Sequence, residues 1–380
     1  MLEVLPAVAA SRAALLGRVA AMLPAWTEHA ARLDAEGRAP ELELGQLRDA
    51  GALVAPLPTA LGGLGLGTEP SGAPGLLRLL RLIGRGNLSL GRIFEGHVNA
   101  LKLVALYGSA DQLRRAAEDA RDGHLFAIWA TEAADPVRIA GTSMRGGKVF
   151  CSAAAQATRA LITATSDAGE AQMLLIPLRA GERARTGLYE THGMRACGTG
   201  SVDFTGAPVP EAALIGRPGD YLRQPEFSAG AWRASAVAVG GLDALVEQVR
   251  RQLVARDRQD NPHQRSRLGE ILIAAETASL WAGKAARVAE GGDAPAGDVA
   301  GYVNLARIAI EGACLDAMRL AQRSLGLAAF VRPNPVERLL RDLATYLRQP
   351  APDETLTEAA AWFTANDLPD LGPSGAHAGE

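Results

Sequence analysis

The sequence has few cysteines and only a small net charge. Its three cysteines, Cys151, Cys197 and Cys314, lie far apart and form no Cys-x-x-Cys pair. A disulfide framework is therefore not expected, and a reducing cytoplasm is the predicted location. The net charge of −3 at pH 7 does not indicate the basic surface that binds nucleic acid, so nucleic acid is not an expected partner.

Long hydrophobic runs are also absent. Although 48% of the residues are apolar, no run approaches the roughly 20 residues that a membrane-spanning helix needs. The first residues, MLEVLPAVAASRAALLGRV, include Glu3 and lack a basic leader, which predicts an amphipathic helix rather than a signal peptide. We therefore expect no membrane insertion.

Residue types that bind metals or nucleotides occur without the spacing that such sites need. The six histidines form no His-x-x-x-His pair and have no cysteine cluster nearby, so no metal site is predicted. The glycines at 62, 63, 65 and 67 do not match the Gly-x-Gly-x-x-Gly spacing of a dinucleotide-binding loop. These patterns argue against a metal site built from histidine and cysteine and against a dinucleotide-binding loop.

Apolar spacing and turn signals predict an α+β protein with several domains. Residues 1–123 show helical spacing, and Ser109 with Gln112 forms a capping box for a helix that stops at Gly123. Residues 124–226 contain short apolar runs of strand length, which predicts an antiparallel β-barrel or sandwich. Residues 227–365 return to a helical bundle, and residues 366–380 have too little apolar content to pack, so they are expected to form a flexible tail.

The segment GMRACGTGSVDFTGAPVPEAALIG at 193–216 resembles the end of the β domain in the acyl-CoA dehydrogenase superfamily. Further matches follow in the family's order along nearly the whole chain: LRDAGALVAPLPTALGGLGLG, LYGSADQLRRAAEDARDGHLFAIWATEA, GGKVFCSAA, RALITATSDAG and NPVERLLRDL. The resemblance implies an N-terminal helical domain, a middle β domain and a C-terminal four-helix bundle. It also implies an oxidoreductase that binds FAD.

The resemblance indicates which residues hold the flavin ring. Trp129 and Thr131 lie in WATEA, which matches the family's Thr-Glu motif, and Phe150 and Ser152 in KVFCSA match an aromatic and a hydroxyl residue. In the family that hydroxyl contacts flavin N5, where a polar group can stabilise the reduced ring. Without the resemblance, Ser152 would be interpreted as a serine at a strand end.

In this superfamily a neighbouring subunit completes each FAD site, which implies a homodimer or homotetramer. Gln322 and Gly326 in QRSLG match the family's Gln-x-x-Gly-Gly segment, with Leu325 in place of its first glycine. Arg256 or Arg258 matches the arginine that follows the first long bundle helix. A solvated charge at a helix end is the alternative interpretation of either arginine.

The carboxylate that removes the substrate α-proton in most of the family is missing here. Alignment from Pro335 places Pro350 at the usual glutamate, and Trp232 stands at the alternative position before Arg233. By the resemblance, Arg233 helps to shape the substrate cavity. Asp353 or Glu354 could supply a relocated base, and capping of a surface helix is their alternative role.

Three hypotheses follow for the function. The first is an FAD-dependent oxidoreductase that moves hydride from an acyl-type substrate to flavin N5 with a non-standard or absent base. Its expected partners are a small-molecule substrate, such as an acyl thioester, and an electron-transfer flavoprotein. The second is a flavin monooxygenase like dibenzothiophene monooxygenase, in which His97 lies near the flavin unless it is a core residue. The third is a flavin-binding or scaffold protein without turnover.

Overall fold

The computed structural model describes residues 4–166, 169–187, 189–292 and 294–367. The N-terminal part consists of helices α1 Val4–Glu36, α2 Glu41–Asp49, α3 Ala73–Gly86, α4 Leu88–Tyr107 and α5 Ala110–Arg121. Helix α5 begins with the predicted capping box, because the Ser109 side chain accepts a hydrogen bond from the Gln112 amide and the Gln112 side chain accepts one from the Ser109 amide. The prediction of this helix from its cap is confirmed.

The glycine-rich loop between α2 and α3 folds back on itself through close backbone contacts. A Cβ atom on Gly63 would lie 2.0 Å from the Leu57 carbonyl oxygen, and one on Gly72 would lie 1.9 Å from that of Gly65. No side chain fits at such distances, so packing of the loop requires glycine at both positions.

The strands are β1 Phe126–Trp129, β2 Arg138–Ala140, β3 Ser143–Arg145, β4 Gly147–Cys151, β5 Arg159–Thr165, β6 Ala171–Pro177, β7 Ala184–Thr186, β8 Gly200–Asp203 and β9 Leu214–Ile215. One sheet has the order β3-β2-β5-β6-β9, with β1 also paired to β5, and the other has the order β4-β8-β7. Side chains from both sheets share one buried apolar cluster. The strands therefore form a sandwich, and neither sheet closes into a barrel within the described residues.

The sandwich is not purely antiparallel, which corrects the prediction. Strand β1 runs parallel to β5, with Phe126 opposite Arg159 and Trp129 opposite Ile162, and β2 also meets β5 in parallel. Parallel neighbours need a connection of a dozen or more residues. Residues 130–158 provide that connection and contribute β2, β3 and β4 on the way.

Helices resume with α6 Glu226–Ala229, α7 Ala231–Ala255, α8 Pro262–Gly291, α9 Ala296–Leu325, α10 Pro335–Tyr346 and α11 Pro352–Ala365. Helices α7, α8 and α9 pack against one another and α10 packs on α7, which gives the predicted bundle. Helix α4 contacts both α7 and β1, so it lies where the N-terminal helices, the sandwich and the bundle meet.

No helix within the described ranges is long and apolar enough to cross a membrane. Of the predicted tail at 366–380, only residues 366 and 367 are among the described residues.

Candidate functional site

The end of strand β4 has an irregular backbone that exposes an aromatic side chain. The pairing register with β8 shifts between Lys148 and Cys151, and both Phe150 and Ala153 have positive φ angles, of 53° and 51°. Such angles are unfavourable for residues with a side chain and cluster at functional sites. Phe150 is 58% exposed and its ring lies 4.9 Å from that of Tyr189, centroid to centroid.

This strand end is held in place from two sides. The amide of Ala153 donates to the Cys197 carbonyl oxygen over 2.9 Å, and the amide of Ala154 donates to that of Gly198 over 3.0 Å. On the other side, the Trp129 indole donates to the Ser152 carbonyl oxygen over 3.0 Å. Trp129 is buried and therefore supports the strand end from beneath. Trp129 and Ser152, two of the predicted flavin residues, are thus neighbours.

The Thr-Glu motif lies beside the same strand end. The carbonyl oxygen of the exposed Thr131 accepts a hydrogen bond from the Val149 amide over 3.0 Å. The next residue, Glu132, forms an ion pair with the fully buried Lys148, whose ammonium also donates to Thr163 Oγ1 over 2.9 Å. Burial lowers the pKa of Lys148. Glu132 is thereby anchored, and this fixes the position of Thr131.

The sequence interpretation missed Lys148. The sequence feature that could have identified Lys148 is the scarcity of lysine: the chain has only three, and Lys148 is in a strand.

The GMR motif and the Arg-Asp pair of NPVERLLRDL contact each other. The Met194 amide donates to Asp342 Oδ1 over 2.7 Å, and the Gly193 amide donates to Thr345 Oγ1 over 3.0 Å. A Cβ atom on Gly193 would lie 2.0 Å from the Arg341 carbonyl oxygen. Helix α10 thus positions the 193–199 segment, which in turn holds the end of β4.

Two depressions adjoin this strand end. An open groove of about 460 Å³ is lined by Gly37, Thr186, Gly187, Tyr189, Glu190, Thr191, Met194, Arg195, Gly198 and Thr199. A second, narrow cleft of only about 10 Å³ is lined by α4, β1 and the residues after β4, and it brings Arg92 next to Trp129 and Ser152. The groove is within the size range of small-molecule sites.

The two expected positions of the catalytic carboxylate carry no acid in the structure. Pro350 lies just after α10, and its carbonyl oxygen accepts a hydrogen bond from Arg307 Nη2 over 2.5 Å. Trp232 is fully buried in α7 and its indole donates to Glu290 Oε1 over 3.0 Å. Asp353 and Glu354 are exposed in the first turn of α11. Carboxylates there interact favourably with the helix dipole, so this placement favours a structural role.

Arg233 lies in a buried ionic network between α4, α7 and α8. Its Nη1 atom donates to Glu290 Oε1 over 2.9 Å, and Lys102 donates to Glu290 Oε2 over 2.8 Å. Its Nε atom donates to Asn99 Oδ1. Arg233 and Glu290 side chains are only 7% and 6% exposed.

The network continues along α4 to the cleft beside Ser152. Glu95 is buried and accepts hydrogen bonds from Asn99 and from Arg92, and its charge raises the pKa of Arg92. We call this set the α4–α7 network; its members are Arg92, Glu95, Asn99, Lys102, Trp232, Arg233 and Glu290. The sequence interpretation missed Arg92 and Glu95. The feature that could have identified them is a pair of opposite charges within a largely apolar, buried helix.

His97 is enclosed in the core between α4 and β1. Its Nδ1 atom accepts from the Phe126 amide over 3.1 Å, so Nε2 carries the proton and donates to the Leu53 carbonyl oxygen over 2.8 Å. Burial lowers the pKa of His97 to about 4. With both nitrogens engaged and no exposed surface, this geometry favours the core-residue alternative over a role beside the flavin.

The residues predicted to serve a neighbouring subunit's flavin gather at one end of the bundle. Arg256 and Arg258 are exposed just after α7, and Gln322 and Gly326 lie at the end of α9. Among the described residues, no hydrogen bond joins these four to the strand end around Phe150. The predicted flavin contacts thus belong to two parts of the chain, the β domain and the end of the bundle.

Comparisons with known proteins give one curated relative and many solved structures. The chain is 29% identical over 215 residues to glutaryl-CoA dehydrogenase of Desulfococcus multivorans, and the match spans 53% of this chain and 54% of that protein, about half of its length. No family model matches the chain.

Two monooxygenase structures are similar over nearly their whole length. Dibenzothiophene monooxygenase TdsC from Paenibacillus sp. A11-2 is 21% identical with a TM-score of 0.80, covering 92% of this chain and 97% of that one. Methanesulfinate monooxygenase MsuC from Pseudomonas fluorescens is also 21% identical with a TM-score of 0.80, covering 93% and 97%. The chain therefore shares the fold of these two proteins. Together with the similarity to glutaryl-CoA dehydrogenase, this confirms the resemblance to the acyl-CoA dehydrogenase superfamily that its motifs predict.

Proposed function

We propose that this protein is a flavin-dependent oxidoreductase whose flavin binds at the end of β4. The observation that carries the proposal is the irregular strand end, where Phe150 is exposed, Ser152 is held by Trp129 and Thr131 lies alongside. A side chain that is exposed on an unfavourable backbone is typical of a ligand contact. When bound, a flavin supplies hydride exchange at its N5 atom.

The residues at this place suit a flat, partly polar ring. Phe150 and Tyr189 offer aromatic faces at the rim of the open groove, and Thr131 and Ser152 offer polar groups. FAD is the cofactor that the sequence predicts. FMN is the alternative, because a structure of TdsC contains FMN.

Flavin uptake tests the proposal directly. Purified protein is titrated with FAD and with FMN while flavin fluorescence is followed, and the cofactor that copurifies is identified by chromatography after heat release. We expect quenching by the wild type and weaker binding by Phe150→Ala and Ser152→Ala. Phe227→Ala is the matched control, because Phe227 is also an exposed aromatic residue in a ring pair, with Tyr221. A wild type that takes up neither flavin would contradict the proposal.

A second copy of the chain is proposed to complete the site. Arg256, Arg258, Gln322 and Gly326 lie at the bundle end, apart from Phe150, so one flavin would contact both groups only across an interface between copies. Light scattering should give a dimer or tetramer. Gln322→Ala should then weaken flavin binding without changing the folding of the monomer.

The reaction is proposed to need no carboxylate at the usual positions. Pro350 and Trp232 cannot accept a proton, and Asp353 and Glu354 lie exposed on α11. This observation favours monooxygenase chemistry over acyl-CoA dehydrogenation. Flavin bleaching by acyl-CoA thioesters without oxygen would instead support a dehydrogenase, for which an electron-transfer flavoprotein is the proposed acceptor. A protein that binds flavin but shows neither bleaching nor substrate-dependent oxygen consumption would support the binding-protein hypothesis.

A further inference from the structure

We infer that Arg195 binds a phosphate group in the open groove whose rim adjoins Phe150. The inference rests on the flavin site proposed above, and it adds the chemical group that the groove binds and the residue that binds it. The phosphate is that of the flavin itself or that of a phosphorylated substrate, and two titrations distinguish these sources.

Arg195 is a partly buried cation that lines the groove. Its guanidinium makes no ion pair and no hydrogen bond with the described residues. Arg159, which is also partly buried in the β domain, pairs instead with Asp119 over 2.5 Å. The planar, five-donor guanidinium of Arg195 is therefore left to bind a ligand, and its geometry matches the oxygens of a phosphate.

The groove has the room and the polar groups that a phosphate ester needs. Its volume is about 460 Å³, which is within the range of small-molecule sites. Thr186 and Thr191 lie in the same lining, and their hydroxyls make no hydrogen bond with the described residues, so both can donate to phosphate oxygens. An apolar ligand would leave these polar groups without partners, at a cost that a phosphate avoids.

The segment that carries Arg195 is attached to the strand end where the flavin ring is proposed to bind. The Cys197 carbonyl oxygen accepts a hydrogen bond from the Ala153 amide over 2.9 Å. At the rim of the groove, the Tyr189 ring contacts that of Phe150. A flat ring against Phe150 therefore lies next to the groove, into which the same molecule or a neighbouring substrate can extend a phosphate.

One acidic side chain lines the groove together with Arg195. Glu190 is exposed and makes no ion pair with Arg195 in the described part of the chain. Water and salt screen an exposed charge more than a partly buried one. Glu190 should therefore weaken phosphate binding without cancelling it, and its removal should act in the opposite direction to removal of Arg195.

The first titration compares two flavins that differ only in the phosphate. FMN and riboflavin are added at pH 7 and low salt to the purified full chain freed of bound flavin, and flavin fluorescence is followed. We expect FMN to bind about tenfold or more tightly than riboflavin, since hydrogen bonds to charged groups add that much. Arg195→Gln should abolish this preference, Arg195→Lys should retain part of it, and Glu190→Gln should increase it.

Arg179→Gln is the matched control. Arg179 is also an arginine of the β domain without an ion pair among the described residues, but it is exposed and lies outside the groove. This variant should keep the preference for FMN. The melting temperature of Arg195→Gln should equal that of the wild type, because Arg195 has no structural partner to lose.

The second titration identifies the source of the phosphate. Adenosine monophosphate and adenosine are added to the riboflavin-loaded protein, and binding is followed by ligand-observed NMR. A preference for FMN that depends on Arg195 assigns the phosphate to the flavin. Equal binding of the two flavins, with a preference for adenosine monophosphate that depends on Arg195, assigns it to a substrate.

The inference is overturned if neither pair of probes shows a preference for the phosphorylated member, or if Arg195→Gln leaves that preference unchanged. Riboflavin uptake reports separately on the proposed function. If the protein takes up no flavin, the adenosine pair is titrated against the flavin-free chain, so that the inference about Arg195 is still tested.

Discussion

Replacing Glu290 with alanine should destabilise the protein strongly, because Glu290 has three hydrogen-bond partners, of which Trp232 and Arg233 are buried and Lys102 is partly buried. Its side chain is 6% exposed and accepts hydrogen bonds from Arg233, Lys102 and Trp232, at 2.9, 2.8 and 3.0 Å. Removing one member of a buried ion pair costs about 3–5 kcal/mol, since the remaining charge stays buried without a partner. Two cations are affected here, so the free energy of unfolding should fall by at least about 3 kcal/mol.

The measurement is urea unfolding followed by circular dichroism, with the midpoint compared between wild type and variants. Glu290→Gln keeps hydrogen-bond acceptance without the charge and should lose less stability than Glu290→Ala. Glu247→Ala is the matched control, because Glu247 also accepts from two arginines, Arg250 and Arg251, but these are 55% and 64% exposed. Ion pairs between exposed side chains contribute little to the free energy of unfolding. A loss below about 1 kcal/mol for Glu290→Ala would refute the view that the network is a buried, obligatory set of charges.

Three other perturbations follow from single residues. The His97 pKa of about 4 lies below the unfolded value of about 6.5, so the unfolded state takes up the proton first. The free energy of unfolding should therefore fall as pH drops from about 6.5 to 4. His97→Gln should reduce this dependence of stability on pH, measured by urea unfolding. Gly193→Ala should lower both the melting temperature and the affinity for flavin, because the new Cβ atom would lie 2.0 Å from the Arg341 carbonyl oxygen. An unchanged melting temperature and affinity would show that the backbone moves to make room for the Cβ atom. Lys148→Met should weaken flavin binding by releasing Glu132, and retention of wild-type affinity would count against the anchoring of Thr131.

Part of the site could be predicted because its residues lie in short, recognisable segments. WATEA and KVFCSA predict Trp129 and Ser152 as flavin contacts; the structure joins these two residues by a hydrogen bond, and their contact with flavin stays a prediction. The role that alignment alone suggests for His97 is not favoured by the structure. His97 is in a segment expected near the flavin, yet burial and two backbone hydrogen bonds engage it in the core. A sequence pattern indicates that a histidine is on an apolar helix but not which way its nitrogens face.

The sequence by itself determined the features that depend on near neighbours along the chain. The capping box of α5 is complete within four residues, and the alternation of Val202 and Phe204 predicts the buried face of β8 and the residue after it. The absence of an acid at Pro350 and Trp232 is likewise a property of the sequence once the motifs are aligned.

Only the tertiary structure decided which distant residues meet. The parallel pairing of β1 with β5, the contact of Met194 with Asp342, and the placement of Arg92 next to Ser152 all join segments tens of residues or more apart. The ion pair of Glu290 with Arg233 and Lys102 likewise joins three helices, α8, α7 and α4. Such contacts depend on how helices and sheets pack, and packing is a property of whole surfaces that no local pattern of residues specifies.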